Sequence, residues 1–248
     1  MKALYVLWLR QLKRYLRSKP RIIGGLAQPL LFLLALGFGF GPIYAKAGGG
    51  NYIQFIAPGI IGMSILFTSI FSGVDIIWDK QFGFLKETLV APVSRFELML
   101  GRTLGGATIA LIQGFFVFLI SMLVGFRPQS ILMLPLALLF MFLIAVAFTG
   151  LGTAIGSLME DMQGFQLIMN FLIMPIFFLS GALFPITELP KGILLVTKFD
   201  PLTYGVDGLR ASLLGASTFP IIYDLLVIAG VGALFVALGS YFFSKVQL

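Results

Sequence analysis

The chain has 248 residues, of which 59% are hydrophobic and 11% charged, far below the roughly 25% of charged residues in a soluble domain, so a water-soluble fold is excluded. The net charge of +7 does not indicate nucleic acid as a partner, because seven of the 17 Lys and Arg residues lie between Lys2 and Arg21, beside an apolar run, as in a lipid-facing flank. Cys and His are absent, which removes thiolate and imidazole chemistry, and we expect no disulfide, no metal site and no enzymatic activity.

The first predicted element is an amphipathic helix over residues 2–19. At 100° per residue its apolar and cationic side chains separate onto opposite arcs, which is typical of a helix lying flat on a membrane surface. Pro20 then interrupts the helical hydrogen bonds and lets the chain turn into the bilayer. We predict an interfacial helix whose apolar arc comprises Leu4, Trp8, Leu12, Tyr15 and Leu16, and whose cationic arc comprises Lys2, Arg10, Lys13, Arg14 and Arg17.

Six mostly apolar stretches follow, each long enough to cross the roughly 30 Å hydrocarbon core of a bilayer. Backbone polar groups in lipid must be bonded within the segment, so all six are predicted to be helices. The expected fold is an all-α integral membrane protein, with residues 1–248 forming one transmembrane domain. The predicted spans cover residues 22–41, 52–74, 103–126, 131–155, 165–184 and 221–243.

The positions of Lys and Arg predict how these spans are oriented. If the N-terminus is cytoplasmic, 12 of the 17 cations lie inside and five outside, as the positive-inside rule favours. We therefore predict a multi-pass protein of the plasma membrane with the N- and C-termini in the cytoplasm.

Two connections between spans are long enough to be informative. Residues 75–102 form a charged loop on the predicted cytoplasmic side. Residues 185–220 lie outside and are unusually apolar for an exposed loop, and irregular backbone at membrane depth is tolerated only where protein or a water-filled cavity covers it. We predict that this external segment re-enters the membrane edge, with an ordinary external loop as the alternative.

Energy coupling must come from outside this chain if it is a transporter. All ten Asp and Glu residues fall in predicted loops or at span ends, so no relay for protons or sodium is expected at mid-membrane. The sequence also lacks the Gly-x4-Gly-Lys-Ser/Thr loop that binds nucleotide phosphates. Small residues at four-residue spacing, such as Gly152 and Gly156, favour close helix packing inside the chain, with a dimer interface as the alternative.

Two separated motifs carry a family resemblance. The loop after the second span reads Gly83-Phe84-Leu85-Lys86-Glu87-Thr88-Leu89-Val90-Ala91-Pro92-Val93-Ser94-Arg95. The second motif begins at the end of the fifth span with Leu179-Ser180-Gly181-Ala182-Leu183-Phe184-Pro185 and continues in the external segment with Asp200-Pro201-Leu202-Thr203-Tyr204-Gly205. In this order and spacing they closely resemble permease subunits of type 2 ABC exporters, especially the daunorubicin-resistance-like and nodulation-type members.

The resemblance implies an assembly and a set of coupling residues. Two permease copies, here expected as a homodimer, would pair with two ABC ATPase subunits that bind ATP and Mg, so this chain would hold no cofactor. A coupling helix in the loop after span two would contact the ATPase, with a second contact at the next turn on the same side. The implied coupling residues are Gly83, Phe84, Leu85, Lys86, Glu87, Pro92, Arg95, Glu160 and Asp161.

The resemblance also implies a transport path lined by spans two and five and re-entrant helices before the last span. The expected function is ATP-driven export, from a bacterium or archaeon, of a hydrophobic, amphipathic or lipid-linked substrate such as a drug, lipid or polysaccharide carrier. A passive lipid scramblase or channel is the alternative. The implied path residues are Phe67, Phe71, Phe165, Met169, Phe171, Phe177 and Phe178.

Overall fold

Helices form the regular structure of this protein. The computed structural model describes residues 2–84 and 93–246, and these residues contain no strand. Short 3₁₀ turns lie at Ile131–Met133 and Ile186–Glu188, and a π-helical segment at Met169–Ile173. The α-helices are α1 (Lys2–Arg17), α2 (Lys19–Lys46), α3 (Tyr52–Phe71), α4 (Val74–Gln81), α5 (Arg95–Val124), α6 (Leu134–Leu158), α7 (Met162–Ile168), α8 (Met174–Leu179), α9 (Lys191–Phe199), α10 (Pro201–Leu214) and α11 (Ile221–Ser244).

Within residues 2–84 and 93–246, six helical segments are long and apolar enough to cross a membrane, which confirms the predicted all-α integral membrane fold. They cover Lys19–Lys46, Tyr52–Gln81, Arg95–Val124, Ile131–Leu158, Met162–Leu179 and Ile221–Ser244.

Consecutive spans run in opposite directions, so the bundle has two ends of different character. Arg95 Nη1 donates to the Val246 carbonyl (3.3 Å), which places the start of α5 beside the end of α11. We call this the charged end, comprising residues 2–21, 75–84, 93–102, 157–161 and 244–246; the opposite end holds residues 46–52, 125–131 and 180–221.

The connection predicted over residues 75–102 is shorter than expected. Residues 75–81 continue the second span as α4, and residues 95–102 already belong to α5. Ser94 starts α5 by accepting a hydrogen bond from Glu97 N (3.1 Å). Three charged side chains in these helical turns, Asp75, Asp79 and Arg102, are buried and paired, as described below, and this pairing lets the helices extend beyond their apolar stretches.

Helix α1 forms as predicted and packs along the first half of α5. Trp8 Nε1 donates to Thr108 Oγ1 (2.9 Å), and the Tyr15 hydroxyl, only 1% exposed, donates to Gln113 Oε1. Part of the apolar arc of α1 is therefore covered by protein, whereas Leu16 remains exposed. Contact of this helix with a membrane surface stays a prediction.

The fifth span is not a regular helix. Helices α7 and α8 are separated by the π-helical segment, and Pro175 lies in the first turn of α8. Because proline has no backbone N–H, the hydrogen-bond ladder is interrupted there, and a local change to wider turns accommodates the loss.

Glycines allow the central helices to touch at their backbones. A Cβ on Gly152 would lie 2.6 Å from the Ile70 carbonyl oxygen, and one on Gly156 would meet the carbonyl of Gly73. These two glycines thus serve packing within the chain, as predicted. Two alanines of α11 that also lie four residues apart, Ala233 and Ala237, are exposed.

The segment predicted to be external, residues 185–220, contains two helices, α9 and α10, and α10 is inserted among the spans. Eleven of its residues are buried, and it packs against α3, α6 and α11. A Cβ on Gly62 would lie 2.9 Å from Val206 Cγ2, and Gly62 is ten residues after Tyr52, about 15 Å along the helix. The segment thus folds back into the bundle, and its predicted re-entry at the membrane edge stays a prediction.

Candidate functional site

Two buried carboxylates on α4 organise the charged end. Asp75 is 4% exposed, and its two oxygens face Arg14 Nη1 at 3.3 Å and Arg21 Nη1 at 3.7 Å. One carboxylate therefore ties α4 to α1 and to the start of α2. Buried carboxylates are tolerated when they are paired in this way.

Asp79 lies one turn further along the same face. It pairs with the buried Arg102 of α5 and, at 3.6 Å, with Arg10 of α1. Sequence reasoning placed both carboxylates in or beside a loop and missed their pairing. Their four-residue spacing on one helix face, together with the basic segment at residues 2–21, is the signal that could have revealed it.

The next two residues connect α4 to the other side of the bundle. Lys80 Nζ donates to the carbonyls of Ser157 (2.5 Å) and Met159 (3.0 Å) at the end of α6, where a cation complements the helix dipole. Gln81 Nε2 donates to the Glu160 carbonyl (3.3 Å). Helix α4 thus joins α1, α2 and α5 on one side to the turn after α6 on the other.

The predicted coupling residues lie around this junction where the structure describes them. Gly83 adopts a positive φ of 77° just after α4, a conformation that glycine tolerates best, and Phe84 is half exposed. Glu160 and Asp161 are exposed at the same end, and Asp161 starts α7 by accepting from Gly164 N (2.6 Å). The predicted coupling residues Leu85, Lys86, Glu87 and Pro92 lie outside the described residues.

Arg95 has a contact that the sequence did not indicate. Its guanidinium donates to the backbone carbonyls of Ser244 and Val246 at the end of α11. A cation at a helix C-terminus binds orphan carbonyls and opposes the helix dipole. Arg95 therefore fixes the C-terminal end of the chain, in addition to any role in coupling.

The predicted path residues are divided between the protein interior and its outer surface. Phe165, Met169 and Phe177 are buried. Phe67 and Phe177 meet with ring centroids 6.4 Å apart, as do Phe71 and Phe165 at 6.5 Å, so spans two and five are in aromatic contact within one chain. The path between two copies stays a prediction. Phe171 is 84% exposed on the π-helical segment, and Phe178 and Phe71 are partly exposed.

Charged groups are also buried at the opposite end, around α10. Asp207 Oδ2 accepts from Thr218 N (2.8 Å) and Phe219 N (2.9 Å), which fixes the loop before α11. Arg210 Nη2 donates to the Gly181 carbonyl (3.0 Å), and its guanidinium lies 4.3 Å from the centre of the Phe55 ring. These side chains hold the external segment in place, and sequence reasoning assigned them no such role.

Asp200 begins α10, and its carboxyl has a strongly raised pKa. Its Oδ1 accepts from Leu202 N (2.9 Å), whereas its buried Oδ2 has no hydrogen-bond partner. Burial raises the pKa of the Asp200 carboxyl from 3.8 to about 8, although the hydrogen bond from Leu202 lowers it. The folded protein therefore favours the protonated acid at neutral pH.

Asp200→Asn is expected to make the protein more stable at high pH. Because the pKa of Asp200 is higher in the folded than in the unfolded chain, wild-type stability should fall as pH rises from about 4 to about 8. Asparagine keeps the capping oxygen and carries no charge, so its Tm should exceed that of the wild type by about 5 °C at pH 9 and match it near pH 4.

The measurement is thermal unfolding of purified protein in neutral detergent at pH 4, 6, 7.5 and 9. Asp161→Asn changes a capping carboxylate at an exposed turn and is the matched control, which should show no gain at pH 9. A Tm difference between Asp200→Asn and wild type that does not grow with pH contradicts the buried-acid assignment.

Comparison with known proteins identifies the family. The chain matches the family described as ABC-2 type transporter over residues 2–214. It is 29% identical to the transport permease ycf38 of Cyanophora paradoxa over 217 residues, covering 85% of this chain and 73% of that protein. It is 29% identical to nodulation protein J of Rhizobium leguminosarum bv. trifolii over 196 residues, covering 78% and 74%.

The inner membrane transport permease YadH of Escherichia coli K12 is similar over a still larger share. The two proteins are 26% identical over 223 residues, covering 89% of this chain and 86% of YadH. These matches confirm the resemblance that the motifs indicated, and they imply an ABC ATPase as partner. The chain belongs to the ABC-2 type transporter family and is a membrane permease of an ABC transporter.

Proposed function

We propose that this permease exports a hydrophobic, amphipathic or lipid-linked molecule, driven by ATP hydrolysis in a separate ATPase pair. Two copies of the chain would form the transport path, with both termini and the charged end in the cytoplasm of a bacterial or archaeal cell. The ATPase subunits would hold ATP and Mg, and this chain would supply the path and the mechanical connection.

The observation that carries the proposal is the set of contacts made by α4. This helix continues the second span and ends directly before the predicted coupling stretch at Gly83. Asp75 and Asp79 attach it to α1, α2 and α5, and Lys80 attaches it to the end of α6. A displacement of the coupling stretch would therefore reach four neighbouring helices through buried or partly buried polar contacts.

The proposed mechanism is a two-state equilibrium that the ATPase pair biases. Closure of that pair would push on the coupling stretch and on the Glu160–Asp161 turn, two surfaces joined by Gln81. Motion of α4 would carry spans one to four together and change the access of the path from inside to outside. Differential binding of the two states to the closed ATPase pair supplies the free energy for the change.

Lys80→Met is expected to uncouple ATP hydrolysis from transport. The substitution removes charge-assisted hydrogen bonds between α4 and the end of α6, each contributing about 1.5–3 kcal/mol. Export per ATP hydrolysed should fall about tenfold, which corresponds to about 1.4 kcal/mol of lost coupling. The ATPase should stay bound, because the surface at residues 83–84 and 160–161 is unchanged.

The assay uses tagged permease captured from its native membrane with its ATPase and placed in vesicles. Vanadate-sensitive ATP hydrolysis and outward movement of an NBD-labelled amphiphile are measured together. Lys46→Met, an exposed cation at the opposite end of α2, should leave both unchanged. Equal movement with and without ATP in the wild type would favour a passive scramblase, and an unaltered ratio in Lys80→Met would refute the role of α4.

A further inference from the structure

A cavity of about 520 Å³ lies inside a single chain, between α1, α2, α3, α4 and α5. Its volume falls within the range of pockets that bind drug-sized ligands. The lining changes along its length, from charged side chains at the charged end, through an aromatic wall, to polar side chains near the middle of the bundle. These three zones together define what kind of molecule fits.

The mouth of the cavity is cationic. Arg14 and Arg21 both line it and share the one carboxylate of Asp75. Their distances to that carboxylate, 3.3 and 3.7 Å, are longer than the 2.7–2.9 Å of a charge-assisted hydrogen bond. Both guanidinium groups remain partly exposed, at 45% and 32% of the side chain, so they retain donors for another anion.

The start of α2 adds to this positive potential. Ser18 precedes the helix and provides no side-chain cap, and it also lines the cavity mouth. Residue 20 is proline, and Arg21 N already donates to the Ser18 carbonyl (3.1 Å), so the helix contributes the positive end of its dipole rather than a set of free N–H groups. The helix terminus and the two arginines thus act on the same region of space.

The wall and floor of the cavity are of different chemistry. Phe67, Phe71 and Trp78 form an apolar wall along α3 and α4. Deeper, Gln113 and Ser64 are 1% and 2% exposed, and Gln113 Nε2 and Ser64 Oγ have no hydrogen-bond partner. Ser64 is 11 residues before Asp75 along the second span, roughly 16 Å at about 1.5 Å per residue. Buried donors without partners are costly, and here they point to a polar atom of a ligand.

We propose that this cavity binds a single-chain amphiphile with an anionic phosphate or carboxylate head. The head lies between Arg14 and Arg21 beside Asp75, the apolar chain lies along Phe71 and Phe67, and an oxygen near the far end of the chain accepts from Gln113. The site is complete within one chain, so it is independent of the proposed export function. Both a membrane lipid and a transported molecule can have this combination of an anionic head and a single apolar chain.

The test titrates purified protein in neutral detergent with dodecyl phosphate and counts bound molecules by native mass spectrometry. One saturable molecule per chain is expected. 12-Hydroxydodecyl phosphate should bind several-fold more tightly, because its hydroxyl reaches Gln113, and this difference should vanish in Gln113→Leu. Dodecyltrimethylammonium, with the same chain and opposite charge, should not bind at the site.

Two variants are expected to shift affinity in opposite directions. Arg14→Gln removes a charged donor and should weaken dodecyl phosphate binding about tenfold. Asp75→Asn removes the carboxylate that competes for both arginines and should strengthen it. Arg17→Gln changes an exposed cation of α1 that does not line this cavity and should change nothing. If Arg14→Gln misfolds, the tighter binding in Asp75→Asn remains a test.

Equal binding of the ammonium and phosphate amphiphiles, or unchanged affinity in Asp75→Asn, would overturn the proposal. Two further experiments distinguish whether the natural ligand is a membrane lipid or a transported molecule. An anionic single-chain lipid that co-purifies and stays bound during ATP turnover identifies a membrane lipid. ATP-dependent outward movement of 12-hydroxydodecyl phosphate by the captured complex identifies a transported molecule.

Discussion

Arg102→Met is expected to lower the free energy of unfolding by about 3–5 kcal/mol, because it leaves a buried carboxylate without its main partner. Arg102 and Asp79 are 5% exposed, and their side chains are paired in the interior of the charged end. Arg10, at 3.6 Å from Asp79 and largely exposed, compensates only partly. Tm in neutral detergent should fall by about 10 °C.

The double variant Asp79→Leu with Arg102→Met distinguishes the effect of an unpaired buried charge from the effect of altered packing volume. Replacing both members of a buried ion pair by apolar residues is often neutral, so this variant should recover most of the lost Tm. Arg17→Met changes an exposed cation and should have little effect. A double variant that is as unstable as Arg102→Met alone would contradict this account of the pair.

Gly152→Val is expected to destabilise the protein by about 3 kcal/mol, through overpacking at a helix crossing. Even a single Cβ at Gly152 would lie 2.6 Å from the Ile70 carbonyl oxygen and 2.8 Å from Ile70 Cα. These atoms belong to backbone, so the crossing of α3 and α6 must open to make room. The measurement is Tm in neutral detergent, with an expected fall of about 5–10 °C.

Gly39→Val is the matched control for this prediction. Gly39 also lies in a span, and a Cβ there meets no atom within 4 Å. Its substitution should change Tm by less than about 2 °C. If both variants behave alike, the effect comes from glycine in a membrane helix generally, and the backbone contact between α3 and α6 is not responsible.

The predictions for Gly152→Val and Lys80→Met concern adjacent parts of one junction. Gly152 and Gly156 bring α6 against the end of α3, and Lys80 then reaches the carbonyls at the end of α6. Opening the crossing would lengthen these hydrogen bonds. We therefore expect Gly152→Val, where it folds, to reduce export per ATP in the same assay as Lys80→Met.

The hydrophobic pattern of the sequence determined the spans and α1. In a run of about 20 apolar residues within lipid, the backbone N–H and C=O groups can be hydrogen-bonded within the segment only if it is a helix. The number and order of spans are therefore local properties of the chain. The apolar content of residues 185–220 predicted a segment that re-enters the membrane edge, whereas the packing of α10 among the spans came from the structure. The motifs at residues 83–95 and 179–185 predicted the family.

Only the tertiary structure decided where the charges go. An unpaired charge costs free energy in lipid. Sequence reasoning therefore places Asp75, Asp79 and Arg102 in a loop outside it. Their burial becomes favourable only when α1, α4 and α5 come together and neutralise them. The same holds for Arg95, whose partners on α11 are about 150 residues away in sequence, and for the cavity between α1 and α5. Periodicity records which residues are apolar, whereas these pairings depend on which helices become neighbours.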